Sequence, residues 1–195
     1  MRTFPVVLSI MLLAVAAAPA RADGFVTPFY GFNFGGDSAN CRAFSSCEDK
    51  RKNFGVSIGM MGPVFGFEED ISWAKDFFGK APNVDNSVFT LMSNLLIGIG
   101  VGPVQPYFLV GAGLIRPHAS SDLTKFDTRN NSLGYDLGAG VNGYFTRHVG
   151  IRGDVRRFHA LQDMDIPLLG DIVDQIFVTR KLDFWRASVG LSLRY

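Results

Sequence analysis

The sequence predicts an all-β chain: an eight-stranded antiparallel up-and-down transmembrane β-barrel behind a cleavable signal peptide. Three observations point there. The last twelve residues, Phe184 to Tyr195, alternate in character with a period of two, the length is that of a membrane-crossing strand, and the apolar face carries an aromatic at each end. The N-terminus reads as an export leader, and no later apolar run approaches the ~18 residues a membrane helix needs. The connections between strand-like stretches alternate between long polar segments and tight turns.

Met1 to Ala22 has the layout of a secretory signal peptide. Arg2 supplies the positive start, Phe4 to Ala18 the apolar stretch, and Ala20-Arg21-Ala22 a small-x-small cleavage pattern. The mature chain is therefore expected to begin at Asp23, leaving residues 23–195 as one barrel domain. Removing Arg2 and Arg21 takes the 19 basic residues to 17 against 18 acidic ones, a formal mature charge of −1. With no basic stripe and no acidic tail, the chain lacks the electrostatic footprint of a nucleic-acid binder. Its 18 phenylalanines and 22 glycines suit a wall of large outward and small inward side chains.

The first strand is expected over about Phe25 to Gly35. Val26, Pro28, Tyr30, Phe32 and Phe34 share one face, and Thr27, Gly31, Asn33 and Gly35 the other, together with Phe25 and Phe29. Pro28 cannot donate a ladder hydrogen bond, which places it near the strand's start or at a bulge. Gly36 to Lys52 is a polar loop holding Cys41 and Cys47, the only two cysteines. In an exported protein such a pair is expected to form a disulfide that staples a surface loop.

Asn53 to Met61 alternates Phe54, Val56, Ile58 and Met60 with Gly55, Ser57 and Gly59, and Gly62-Pro63 turns the chain. The third strand, Val64 to about Trp73, sets Phe65, Phe67, Ile71 and Trp73 against Gly66, Glu68, Asp70 and Ser72. Glu69 falls on the outward parity, awkward in lipid unless a bulge or a strand end near the headgroups absorbs it. Ala74 to Asn86 is the next polar loop. Ser87 to about Gly100 has weak polarity contrast and reads as a strand or a buried helix. Its G-I-G-V-G-P ending and its position between turns favour the strand. Tyr107 to Ile115 is the fifth strand, with Gly111 and Gly113 inward, and Arg116 to Asn131 the third polar loop.

Ser132 to Phe145 alternates Leu133, Tyr135, Leu137, Ala139 and Val141 with Gly134, Asp136, Gly138, Gly140 and Asn142. After a turn at Thr146 to His148, Val149 to about Phe158 sets Arg152, Asp154 and Arg156 in one inward row. His159 to Lys181 is the longest connection. Within it Ile166 to Phe177 has the pattern of a short amphipathic helix, seated on the barrel rim or dipping into the outer leaflet. The eighth strand closes the chain.

An even strand number lets the first and last strands pair, removing edges that lipid cannot satisfy. Glu68, Asp70, Asp136, Arg152, Asp154, Arg156, Arg186 and Arg194 all fall on the small-or-polar parity. Since unpaired charges are costly away from bulk water, these eight are expected to form a salt-bridged network plugging an interior just wide enough for its own side chains. A soluble lipocalin-like barrel would place the same residues the other way out, with the aromatics lining a ligand cavity.

Three stretches carry a family resemblance. They are Leu91 to Leu96 leading through Gly102-Pro103 and Gln105-Pro106-Tyr107 to Val110-Gly111-Ala112-Gly113; Val149-Gly150-Ile151-Arg152-Gly153-Asp154-Val155-Arg156; and the final strand ending at Tyr195. With these the mature chain resembles the small outer-membrane β-barrel domains related to OmpA and OmpX, without the periplasmic peptidoglycan-binding domain of full-length OmpA. The resemblance implies residence in the bacterial outer membrane, with outer-membrane lipid as surroundings. It also implies passage through periplasmic chaperones and the barrel-assembly machinery, with Tyr195 as the C-terminal assembly signal.

The function expected is non-enzymatic: a wall presenting surface loops for envelope integrity, adhesion or recognition. Alternatives are a narrow pore for ions or small solutes and a soluble lipocalin-like binding barrel. A hydrolase would need a histidine with a serine or aspartate partner at the rim. His118 and His159, with Ser120, Ser121 and Asp163 nearby, have no diagnostic spacing, and His148 falls in a short turn. No cofactor or metal motif is present: the chain lacks H-E-x-x-H, Walker A and EF-hand patterns.

Overall fold

The computed structural model describes residues 22–36, 52–77, 84–121, 126–129, 131–161 and 181–195. They form nine strands: β1 (Asp23–Phe34), β2 (Lys52–Met61), β3 (Phe65–Lys75), β4 (Val84–Gly98), β5 (Val104–Ser121), β6 (Phe126–Arg129), β7 (Ser132–Tyr144), β8 (Val149–Ala160) and β9 (Asp183–Arg194). Eight of them close a ring in the order β4-β3-β2-β1-β9-β8-β7-β5, completed by a β4–β5 pairing, and all neighbours run antiparallel. The ninth, β6, pairs only with the far end of β5, where His118 to Ser121 face Phe126 to Arg129. That hairpin lies inside the segment expected to be a polar loop: β5 runs on past Ile115 to Ser121 because its backbone stays paired with both β4 and β6. Ser87 to Gly98 is strand, continuously paired on both sides, and not a buried helix. Cys41, Cys47 and the stretch Ile166 to Phe177 lie outside the described residues.

The turns at 62–64, 99–103 and 145–148 join strand ends at one rim, and the long connections join them at the other. Burial follows strand parity. Tyr30, Phe54, Ile58, Trp73, Leu95, Phe108, Leu137, Val189 and Leu191 are exposed on the outer wall, while their sequence neighbours turn inward. Outward aromatics form two belts, with Tyr30, Phe54, Trp73 and Trp185 near the long-loop rim and Phe65, Phe108, Phe145 and Tyr195 near the short-turn rim. Such a wall faces hydrocarbon, with its aromatic girdles at the two interfaces.

Pro28 stands in the middle of β1, at neither a bulge nor the strand start. Gly24 and Tyr195 exchange both backbone hydrogen bonds, at 3.1 and 2.9 Å, so the bonded pairs between β1 and β9 fall on every second residue, Pro28 opposite Leu191 among them. Pro28 has no N–H to give, and the ladder is interrupted over Thr27 and Pro28 before resuming at Phe29 and Gly190. The seam that closes the barrel therefore has one broken rung. Inside the wall, the Thr27 hydroxyl donates to Ser192 Oγ at 3.1 Å beside it. Outside, Pro28, Tyr30, Ile151, Val189 and Leu191 line a shallow apolar groove over the break, with a volume of about 410 Å³.

Glu69 also departs from expectation. It is neither bulged nor near a strand end: the register runs straight through Ile58, Glu69 and Ser93, midway between Phe65 and Trp73. Ser93 accounts for its place on the lipid face, since the Ser93 hydroxyl lies 2.9 and 3.0 Å from the two carboxylate oxygens.

Candidate functional site

The barrel interior is built in three layers. Toward the long-loop rim lies an apolar layer of Ala74, Phe77, Val88, Met92, Ile115, Phe158, Ala160, Leu182 and Phe184. Phe158 stacks on Phe184 at 4.9 Å between ring centroids, and Phe77 meets Phe184 edge-on at 4.8 Å. Toward the other rim a smaller apolar layer holds Phe25, Met61, Leu96, Tyr107 and Leu109. Charge fills the space between.

The charged layer follows from register. β3 points Glu68 and Asp70 inward, β7 points Asp136, β8 points Arg152, Asp154 and Arg156, and β9 points Arg186. Three strands separate β3 from β8 around the ring, so the β8 arginines reach across the lumen to meet the β3 carboxylates. Arg152 Nη1 lies 2.6 Å from Glu68 Oε2, and Arg156 Nη1 lies 2.9 Å from Glu68 Oε1 and 3.3 Å from Asp70 Oδ2. Arg156 also grips Asp154 with a two-pronged fork, Nε to Oδ1 and Nη2 to Oδ2, both at 3.0 Å. Arg186 Nη2 donates to Asp70 Oδ1 at 2.8 Å, with its guanidinium between the rings of Phe29 and Phe158, 4.7 and 4.8 Å from their centroids. Charge-assisted forks of this kind are the stronger class of hydrogen bond, and the aromatic faces add cation–π attraction. Arg156 and Arg186 are completely buried.

Neutral partners complete the network, and parity alone did not single them out. Tyr107 Oη donates to Asp154 Oδ2 at 3.0 Å and accepts from Arg152 Nε at 2.6 Å. Its ring lies across Gly140, where a side chain would collide with it. Ser57 donates to Asp70, and Ser188 to Asp154, each at 2.9 Å; Asn94 Nδ2 donates to Glu68 Oε1 at 3.0 Å. The signal for Ser57, Asn94 and Ser188 was their inward parity, but small polar residues on that face are too common to be told apart without the pairing register. Tyr107 opens the expected fifth strand, where the sequence alone does not tell an inward phenol from an interfacial aromatic.

Arg194 does not belong to the network. It sits at the short-turn rim, 30% exposed, with Nε 3.1 Å from the Arg147 carbonyl and 3.4 Å from Asp23 Oδ2, and its guanidinium over the Tyr144 ring. One residue from the strand end, it has the aqueous rim within reach and turns its charge there. Tyr195 beside it is paired with Gly24 through the backbone, and its ring covers that glycine.

At the long-loop rim, Arg157, His159 and Asp183 form an outward-facing cluster: Arg157 Nη2 and His159 Nδ1 lie 2.8 and 3.0 Å from Asp183 Oδ2. His148 is exposed in the turn at 145–148. Asp163 lies outside the described residues. Among the described residues no group of three His, Cys, Asp or Glu side chains is placed to hold a metal ion.

An interior of ion pairs within an apolar outer wall is the inverse of a soluble ligand-binding barrel, and it removes the lipocalin-like alternative. Among solved structures, the chain is similar to Neisserial surface protein A (16% identity, TM-score 0.58, covering 88% of this chain and 95% of that one). It is likewise similar to outer membrane protein H from P. aeruginosa (15%, 0.56, covering 89% and 100%). A third similar structure is a major outer membrane protein from Thermus thermophilus (17%, 0.55, covering 89% and 99%). At such identities the likeness is one of fold. No curated protein matches the sequence. The family model described as "Outer membrane protein beta-barrel domain" matches residues 7–194, so that a closed eight-stranded ring, an apolar wall with two aromatic belts and a sequence match over almost the whole chain agree: the protein belongs to the outer membrane protein β-barrel domain family.

Proposed function

We propose that this protein is a non-enzymatic, non-conducting scaffold of the bacterial outer membrane that holds its long connections at the cell surface for adhesion, recognition or envelope integrity. One observation carries the reading: the lumen is crossed by ion pairs, with Arg156 on β8 joined to Glu68 and Asp70 on β3 and gripping Asp154 beside it, and with apolar layers above and below. A pore needs a wet path through its length, and three successive filled layers oppose one. The long connections are then the part free to vary in chemistry, since the wall answers only to lipid and the interior only to itself.

The same reading has the leader cleaved after Ala22, so that the mature chain starts where β1 starts, at Asp23. It has Cys41 and Cys47 oxidised, outer-membrane lipid around the wall, and Tyr195 read by the assembly machinery after chaperone escort through the periplasm. The test combines one measurement on the refolded barrel with one on cells that carry the protein. Planar bilayers should show no stable conductance step, and replacing residues 37–51 with a short Gly/Ser linker should abolish cell-surface adhesion while the unheated protein still runs fast on SDS gels. A steady conductance would sink the scaffold reading and favour the narrow pore.

A further inference from the structure

Four carboxylates (Glu68, Asp70, Asp136 and Asp154) share the buried layer with three guanidiniums (Arg152, Arg156 and Arg186). With every group ionised, the layer is short of one positive charge. The shortfall is not spread evenly. Glu68, Asp70 and Asp154 each hold an arginine nitrogen at 3.0 Å or less and accept from a neutral donor as well. Asp136 is fully buried and accepts no hydrogen bond on either oxygen; its ion-pair contact is with Arg156 Nη1, 3.8 Å from Oδ2. An ionised carboxylate left in that condition is among the most costly groups a protein interior can hold.

Asn94 Oδ1 is likewise fully buried without a donor. The two orphan oxygens converge over Gly111. Asn94 on β4, Gly111 on β5 and Asp136 on β7 lie in one cross-strand row, and a side chain at Gly111 would collide with both Asn94 Oδ1 and Asp136 Oδ1. Two acceptors thus crowd one point over a glycine. Turning the Asn94 amide around would serve Asp136 only by taking Nδ2 away from Glu68. A hydrogen between the oxygens satisfies both at once and needs no added volume.

We propose that Asp136 carries a proton and donates it in a hydrogen bond to Asn94 Oδ1, making this a proton-binding site that renders the buried layer electrically neutral. The charged groups acting on Asp136 are Arg156 from β8, Glu68 and Asp70 from β3, and Arg186 from β9; the shortest ion pairs of both arginines go to the other carboxylates, and the Arg186 Nε and Nη1 groups left without a hydrogen-bond partner do not reach Asp136 as an ion pair. With the proton in place, three guanidiniums face three carboxylates, and the lumen presents no fixed net charge. The inference stands whether or not the long connections serve adhesion.

The test is infrared spectroscopy of the refolded barrel at pH 7, in H2O and D2O. The expected result is a carbonyl band of a protonated, slowly exchanging carboxyl, lost in Asp136→Asn and kept in the rim variant Asp183→Asn. Asp136→Asn should also keep the wild-type heat-shift temperature, because its amide can make the same donation to Asn94. Absence of the band from the wild type, or its persistence in Asp136→Asn, overturns the proposal. Absence of the band together with a heat-shift temperature that drops when sodium is exchanged for a bulky organic cation would also overturn it, and would assign the missing charge to a small cation.

Discussion

Arg186 reaches Asp70 at 2.8 Å from a strand 116 positions later in the chain, and the bond forms only when β9 has closed against β1. The ion pairs that cross the lumen are therefore products of closure, unavailable to an open sheet, whereas those of Arg152 and Arg156 with Asp154 lie within β8. Arg156 is the member with most at stake, since it serves Glu68, Asp70 and Asp154 together. Arg156→Ala should destabilise the barrel by about 3–5 kcal/mol, because it strands carboxylates in a dry interior. Arg156→Lys should recover only part of this, a point charge replacing the two-pronged grip on Asp154. Urea titration of the refolded protein in detergent measures both. Equal stability of Arg156→Ala and wild type would show that water reaches the layer.

The broken rung at Pro28 predicts a gain. Pro28→Val supplies the missing N–H to the Leu191 carbonyl and keeps an apolar side chain on the lipid face. A restored hydrogen bond contributes about 0.5–1.5 kcal/mol net in water, and an unsatisfied carbonyl in hydrocarbon costs more, which outweighs the ~0.4–1 kcal/mol of unfolded-state entropy that proline removes. The expected outcome is a higher unfolding temperature and a new, slowly exchanging amide at position 28. A fast-exchanging amide there would mean that the strands stay apart at this point for another reason.

Much of this architecture was legible in the chain because period two is so plain on the outer wall. Phe54, Ile58, Trp73, Val189 and Leu191 mark lipid directly, and the parity of Arg152, Asp154 and Arg156 followed from it. What was not legible depends on register across strands. Glu69 is a misfit in sequence because its partner, Ser93, lies 24 residues away on the next strand. Pro28 reads as a strand-start or bulge residue because parity says nothing about which neighbour its nitrogen faces. Arg194 shares the inward parity, but depth along the strand decides whether a charge meets other charges or the aqueous rim. The β5–β6 hairpin escapes a sequence reading because polar strands outside the membrane carry no lipid-facing stripe.

Glu69 and Ser93 form a polar pair on the lipid face, and a double-mutant cycle should expose it. Glu69→Leu should stabilise the barrel by about 1–2 kcal/mol, a carboxylate near the middle of a span costing less than the ~2–4 kcal/mol of a basic residue but still unfavourable. Ser93→Ala should destabilise the parent and be nearly neutral once Glu69 is Leu, a coupling of about 0.5–1.5 kcal/mol. Additive effects would mean the Ser93 hydroxyl serves something other than Glu69.

Phe158 separates the packing role of the interior from its barrier role. Its ring is fully buried, stacked on Phe184 and set against the Arg186 guanidinium. Phe158→Ala should lower stability by about 3–5 kcal/mol through the cavity it leaves and the lost cation–π contact. It should nevertheless leave planar bilayers silent, because the ion-paired layer beneath still spans the lumen from β8 to β3. If that single truncation produced steady current, the apolar layer would be the true seal and the charged layer a hydrated one. The arginine variants would then be expected to change ion selectivity more than stability.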